Sequence, residues 1–391
     1  MVGIEQLLRP EFTGLEESGI GKVVRRGFGK PGVLPLWVGE GDVPTPEPIR
    51  AAAKAALDKG ETYYNIPRGR MDLLLALKAY LERLYGVEID QGRLVVPGST
   101  MLALNYAAQM VLRPNDHVVV VTPHWPNVLN VLQMVPTEVT FVRLEAKEGH
   151  WHLDLNKLEA AMRPGTRALY VNTPSNPTGW VMPAADVQAV MDLCRAKGIV
   201  VFADEVYHRN VFDGDVAPSF LEVAAPDDPL ISINGFSKAW AMTGWRLGWL
   251  VAPAGFEAQL SSFSTILNTG STSFAQFGGK AALGEIGEPI VRQLREGYKE
   301  GFEVVRRRLG QHPKIELREP DGAFYAFPKL KGLTDSLAFC QRLLDEENVG
   351  VAPGYTFGPG NEAHVRLCFA MSHDRLDEAL SRLVRFVDRH L

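Results

Sequence analysis

Short, nearly continuous apolar runs alternate with amphipathic stretches through the middle of the chain. His117–Val121 (HVVVV), Ala168–Asn172 (ALYVN), Ile199–Asp204 (IVVFAD) and Leu230–Asn234 (LISIN) carry polar residues almost only at their ends. A strand covered on both faces needs no polar alternation, so these runs read as buried strands of a parallel sheet. Asp154–Met162 and Ala184–Lys197, between them, have helical spacing. Parallel neighbours need a crossover, and this succession predicts an α/β layered domain with a mostly parallel sheet. From residue 289 onward the pattern changes. A long amphipathic helix over about Pro289–Leu309 precedes short strand candidates around Ile315 and Phe324. A helix over Thr334–Glu347, a strand over His364–Ala370 and a last helix from Arg375 follow. This α+β arrangement predicts a smaller second domain. The expected division is 1–47 for an N-terminal arm that adds to the small domain, 48–288 for the large domain and 289–391 for the small one. Lys30–Pro48, rich in Pro and Gly, reads as an extended arm.

Length agrees with this division, since 391 residues exceed what one small core organises. The net charge of −5 argues against a general nucleic-acid or anionic-membrane binder, although a local cationic pocket built from few residues is compatible with it. Met1–Gly14 lacks a basic segment followed by an apolar run, and no stretch approaches the ~20 apolar residues of a membrane span. Cys194, Cys340 and Cys368 are odd in number and far apart, which suggests neither a disulfide framework nor a zinc site. Buried thiols in a reducing cytoplasm are the expectation. No G-x-G-x-x-G follows a strand and no G-x-x-x-x-G-K-[ST] occurs, which disfavours the usual nicotinamide and nucleotide-triphosphate enzymes.

Ligands of open α/β sheets gather beyond the carboxyl ends of the strands. There the chain places Thr122-Pro123-His124-Trp125-Pro126-Asn127, Thr173-Pro174-Ser175-Asn176-Pro177-Thr178-Gly179, Asp204-Glu205-Val206-Tyr207 and Gly235-Phe236-Ser237-Lys238. Each has a plain structural reading. Asn-Pro-Thr-Gly is a common turn, Asp204 could cap a helix, and most lysines are solvated. A lone Trp125 is more often packing than a cofactor platform. An aromatic ring, an amide, a carboxylate with a phenol, and an amine at successive strand ends together point to one site.

Asn234-Gly235-Phe236-Ser237-Lys238 followed by Thr243-Gly244-Trp245-Arg246-Leu247-Gly248 resembles the lysine signature of class I aminotransferases, which are pyridoxal 5′-phosphate (PLP) enzymes of fold type I. Tyr64-x-x-x-x-Gly69, Gly98-Ser99-Thr100, Trp125, Asn176-Pro177-x-Gly179, Asp204-x-x-Tyr207 and Val365-Arg366-Leu367-x-Phe369-Ala370 match in the same order. Gly322-Ala323-Phe324-Tyr325 and Pro353-Gly354-x-x-Phe357-Gly358 match as well, so the resemblance runs from about Leu36 to the C-terminus. It implies a large domain with a mostly parallel sheet between helices and a smaller α+β domain. It also implies transfer of an amino group between an amino acid and a 2-oxo acid, in two half-reactions, through an imine on Lys238. Lys238 then shuttles the α-proton, and Asp204 keeps the pyridine nitrogen protonated. Tyr207 and Asn176 address the ring oxygen, and Trp125 lies against the ring. Ser99, Thr100, Ser237 and Arg246 hold the phosphate, with Ser99 and Thr100 opening a helix over Met101–Leu112. Tyr64 reaches the phosphate of a neighbouring subunit, which makes the enzyme a homodimer. Arg366 grips the substrate α-carboxylate, whereas in the plain structural reading it is an ion pair. Gly39 lets backbone approach that carboxylate.

Two departures bear on the substrate. Gly235 stands where many relatives have serine. Thr100 lies in a segment where some aspartate-specific relatives place a lysine, and Ser261–Phe277, where others supply an arginine, has no Lys or Arg. Lys22, Arg25, Arg26 or Lys30 could substitute, although a solvated basic face is their plainer reading. A neutral or aromatic donor is therefore expected over a dicarboxylic one. The alternative on the same scaffold is a PLP-dependent C–S β-lyase. A ligand sensor fused to a DNA-binding module lacks support, because no basic patch and no extra N-terminal module is evident.

Overall fold

The computed structural model describes residues 4–391. Its centre is a seven-stranded sheet. In chain order the strands are β1 (Leu94–Val95), β2 (His117–Thr122), β3 (Glu138–Arg143), β4 (Thr166–Asn172), β5 (Val200–Asp204), β6 (Leu230–Gly235) and β7 (Gly248–Val251). In space they run β1-β7-β6-β5-β4-β2-β3. Neighbours from β6 through β3 are parallel, and β7 is antiparallel to both β6 and β1. The expected α/β class with a mostly parallel sheet is the one observed.

The unbroken apolar runs have a direct physical reason. Val119, Val121, Leu169, Val171, Val201 and Ala203 enter one buried cluster, while Val118, Val120, Ala168, Tyr170, Phe202 and Ile231 enter another on the opposite face. Successive side chains of a strand point to opposite faces, so a sheet covered twice needs apolar residues at every position. Each fully buried aliphatic side chain contributes about 1.5–3 kcal/mol. Register brings Asn172 beside Asp204, and Asp204 beside Ile233, at the carboxyl edge of the sheet.

A third cluster lies around the C-terminal elements. It joins Tyr298, Phe302 and Leu309 of the helix Gly287–Leu309 to Leu376, Leu380 and Leu383 of the helix His373–His390. Val23, Leu36 and Trp37 from the N-terminal segment belong to the same cluster. The arm meets it through Leu34–Pro35, paired in parallel with Val349–Gly350. A Cβ on Gly350 would sit 2.1 Å from the Trp37 ring, so this glycine is what lets the indole lie on the backbone. A small antiparallel sheet places Val365–Cys368 between Tyr325–Ala326 and Ala352–Pro353.

The helix Ala184–Lys197 has the limits its pattern predicts, and Gly198 ends it in the left-handed region at φ 65°. The helix expected from Thr334 starts at Ser336, because the Asp335 carboxylate accepts the N–H groups of Leu337 and Ala338 as a cap. The strand expected over His364–Ala370 is shorter, Val365–Cys368. All three cysteines are buried and unpaired. Among the described residues no helix is long and apolar enough to cross a membrane.

Candidate active site

The polar segments after β2, β4, β5 and β6 meet around a cavity of about 310 Å³ that Trp125, Asn176, Asp204, Tyr207, Lys238 and Arg366 all line. A wider cavity of about 670 Å³ adjoins it, and Gly39, Ser237, Lys238 and Arg246 line both. Lys238 thus stands in the wall between the two.

Lys238 reaches this wall from the turn after β6, where the Asn234 side chain accepts the Gly235 N–H at 2.7 Å. Its Nζ donates to the Gly39 carbonyl at 2.6 Å. Burial pushes the ammonium down to about 8, with Arg366 and Arg246 adding in the same direction and Cys368 and Glu40 opposing. A free amine is therefore accessible near neutral pH, as a nucleophile requires.

Asp204 ends β5 and is 5% exposed. Burial raises its carboxyl to about 6, against the opposing effects of the Tyr170 hydroxyl, the Val206 N–H and Lys238. Tyr170 donates to Oδ2 at 2.8 Å. Asn172 ties the next turn to this strand end. Its Nδ2 donates to the Asp204 carbonyl at 2.9 Å while its Oδ1 accepts the Asn176 N–H at 2.7 Å. The peptide bonds Thr122–Pro123, Thr173–Pro174 and Asn176–Pro177 on this rim are cis.

Arg366 is the cation of the opposite wall. Nη1 donates to Asn176 Oδ1 at 3.2 Å, Nη2 donates to the Trp37 carbonyl, and the buried Nε has no partner. The Tyr325 and Phe357 rings lie 4.7 and 5.3 Å from the guanidinium carbon. No carboxylate among the described residues pairs with it, so the plain ion-pair reading does not hold. A buried guanidinium without a counter-charge costs several kcal/mol, which an incoming carboxylate offsets. The Tyr207 and Tyr325 hydroxyls share a hydrogen bond of 2.6 Å. A Cβ on Gly39 would lie 2.0 Å from the Tyr325 hydroxyl, so only glycine allows this strip of backbone to pass.

At the third corner, the helix Thr100–Val111 begins with Ser99 as its cap, the Ser99 hydroxyl accepting the Leu102 N–H at 3.1 Å. Cβ atoms on Gly235 and Gly248 would lie 2.3 Å from Thr100 Oγ1 and 2.6 Å from Thr100 N. The glycines let the helix N-terminus press onto the ends of β6 and β7. Gly235 in place of serine thus goes with Thr100 rather than being a bare loss of a hydroxyl. Arg246, in the left-handed region at φ 51°, donates to the Thr243 carbonyl at 2.6 Å and lines both cavities. Thr100, Ser237, Trp125 and Gly39 also line the cavity. Two expected residues stand apart. Ser99 lies behind Thr100 and does not line it, and Tyr64 is 90% exposed and outside it. The motif reading gives no role to Tyr170, Asn172, Tyr325 or the Trp37 carbonyl, although Tyr325 stands in the matched segment Gly322–Tyr325. Tyr170 has a local signal, a polar tip inside an otherwise apolar buried run.

An accessible amine, a buried acid and a guanidinium without an acid define an enzyme acting on amino groups of carboxylate-bearing molecules. The chain belongs to the family described as aminotransferase class I and II, whose profile matches residues 32–383. It is 32% identical over 373 residues to aromatic-amino-acid aminotransferase 2 of Thermococcus litoralis, covering 94% of each chain. It is 33% identical over 354 residues to an arginine–pyruvate transaminase of Pseudomonas aeruginosa, covering 90% of this chain and 89% of that one. Among solved structures, a single mutant of Thermus thermophilus aspartate aminotransferase superposes with a TM-score of 0.90 at 30% identity, covering 99% of this chain and 100% of that one. The protein is a PLP-dependent amino-acid aminotransferase. The donor set suits that cofactor: an amine for its aldehyde, an acid for its ring nitrogen, and a helix N-terminus with a guanidinium for its phosphate. The three relatives carry three different donor names, so likeness alone does not choose the donor.

Proposed function

We propose that this aminotransferase takes a neutral or aromatic amino acid as donor and a 2-oxo acid as acceptor. The supporting observation is the charge inventory of the chamber. Its lining cations are Lys238, Arg246 and Arg366, each with a role in the shared chemistry, and the remaining wall includes Ile20, Trp37, Val38, Met101 and Trp125. Of the arm's cations, Arg25 pairs with Glu17, Arg26 and Lys30 both pair with Asp345, and Lys22 does not line the chamber. A distal carboxylate in this chamber would find no cation of its own, and burying it there would go without charge compensation.

PLP, when bound, supplies an electron sink for the substrate's α-carbon. Lys238 carries the cofactor and afterwards moves the α-proton as base and then acid. Asp204 would favour a protonated ring nitrogen, Tyr207 and Asn176 would offer hydrogen bonds to the ring oxygen, and Trp125 would supply an aromatic surface for the ring. Thr100, Ser237 and Arg246 would take the phosphate, with Ser99 capping the helix whose N-terminus faces it. Arg366, with the backbone at Gly39, takes the α-carboxylate.

We further propose a homodimer in which Tyr64 reaches the neighbouring site, an exposure of 90% at Tyr64 and 84% at Tyr63 being the support. Sedimentation showing an active monomer would contradict it. A small domain of 289–391 joined by the arm 1–47, with 48–288 as the large domain, has the support of a buried cluster drawn mainly from the C-terminal elements and the arm. Three unpaired thiols support a cytoplasmic location. The donor is tested by following the bound cofactor's visible absorbance as amino acids are added, with recovery on adding a 2-oxo acid. Neutral and aromatic donors should act at lower concentrations than aspartate. Preference for aspartate overturns the proposal, and release of ammonia without recovery marks a lyase.

A further inference from the structure

A third cavity, of about 610 Å³, shares no lining residue with the two at Lys238. It lies between the hairpin Glu145–His152 that follows β3 and the segment Gly360–His364 that leads into Arg366. Three cations line it, Arg143 from the end of β3 and Arg318 and Lys329 from the C-terminal part of the chain.

Their commitments are incomplete. Arg143 donates through Nη2 to the Gly360 carbonyl at 2.8 Å and to Asn361 Oδ1 at 3.2 Å, both neutral. The Arg318 guanidinium carbon lies 4.5 Å from the Trp151 ring centre, and its buried Nη1 has no partner. Lys329 has only Glu316, at 3.8 Å. The carboxylates in the lining are Glu145, which accepts from Lys157, and Glu362, which accepts the Gly360 N–H at 3.1 Å. At the floor is His364. It is 4% exposed and stacked on Phe327 at 4.8 Å, and neither ring nitrogen has a partner. Burial, followed by the repulsion of Arg318, Arg143 and Lys329, pushes its pKa down to about 3, so the ring is neutral and offers one N–H.

Buried polar groups are nearly always paired, and an unpaired one is a prompt to ask what it binds. Here three unpaired polar atoms, two on His364 and one on Arg318, belong to residues of one cavity that also gathers three cations. We propose that this cleft binds a small oxyanion, a phosphate or carboxylate group, between Arg143, Arg318, Lys329 and the His364 N–H. Arg318 supplies the planar fork, and Lys329 a point charge at the rim. The bound group bridges the hairpin of the large lobe and the strand that carries Arg366, at a site apart from catalysis.

The test is calorimetric titration of the PLP-saturated enzyme, whose own phosphate site is then filled, with inorganic phosphate and separately with acetate. At least one anion should bind saturably. Arg318→Gln should weaken that binding about tenfold, the usual effect of losing a charge-assisted hydrogen bond. Lys329→Gln should weaken it less. Both variants must keep the wild-type cofactor spectrum and melting temperature, and Lys329, being at the rim, serves where Arg318→Gln disturbs packing against Trp151. The stronger of the two anions identifies the ligand as phosphate or carboxylate. No saturable binding of either anion, or binding unchanged in both variants, overturns the proposal.

Discussion

The two walls of the Lys238 cavity are built in different ways. On one side, Asp204 and Lys238 follow adjacent strands, β5 and β6, and the partners of Asp204 come from the same sheet, while Lys238 Nζ reaches across to the Gly39 carbonyl. Tyr170 from β4 donates to Asp204, and Asn172 from β4 ties down the Asn176 turn. On the other side, Arg366 is held by the Trp37 carbonyl, 329 residues away, and by Asn176, 190 residues away. One wall is set mainly by the ends of a parallel sheet. The other exists only where arm, small sheet and large lobe pack together. Disturbing the first should change chemistry, and disturbing the second should change how well the carboxylate is held.

The largest effect that separates the walls is expected from Arg366→Gln. Losing a two-pronged charged grip should lower kcat/KM about 10²–10³-fold. Cofactor uptake by Lys238 should remain close to wild type, measured by absorbance titration. A parallel loss of both would mean that the walls are not independent. Next comes pH. The uncharged amine is the reactive form, and its fraction grows as pH rises through the pKa. Burial brings that point from 10.5 down to about 8, so PLP capture by the cofactor-free enzyme should accelerate with a midpoint near about 8. A rise delayed beyond pH 10 would show that the amine is not enclosed as described. The smallest effect is expected from Asn176→Ala, which removes one neutral partner of Arg366. Because Asn176 touches both walls, the substitution should raise the KM for the amino acid about tenfold and lower kcat less. A fall in kcat with KM unchanged would show that its contact with Arg366 does not help hold the carboxylate.

The same contrast explains what the sequence discloses. The strands β2, β4, β5 and β6 are legible because burial on both faces leaves an unbroken apolar run, and their polar ends then mark the rim. β3 is half-exposed at the sheet edge, and β1 and β7 are two and four residues long, too short for a period to register. The segment that the family likeness singles out around Lys238 is local, so its residues are found together. The roles of Tyr170, Asn172, Tyr325 and the Trp37 carbonyl come only from the packing. A backbone carbonyl has no residue type to read, and the Tyr207–Tyr325 pair joins residues 118 apart in the chain. The Arg318–His364 cleft has no motif at all. Its cations look like an ordinary solvated face until the fold places them around a buried imidazole.

The central claim, that Lys238 is the amine carrying the cofactor, is tested most directly by borohydride reduction of the PLP-loaded enzyme followed by peptide mass mapping. The account predicts one stable cofactor adduct per chain, on the peptide containing Lys238. An adduct on another lysine, or a wild-type yield of adduct from Lys238→Ala, would contradict it.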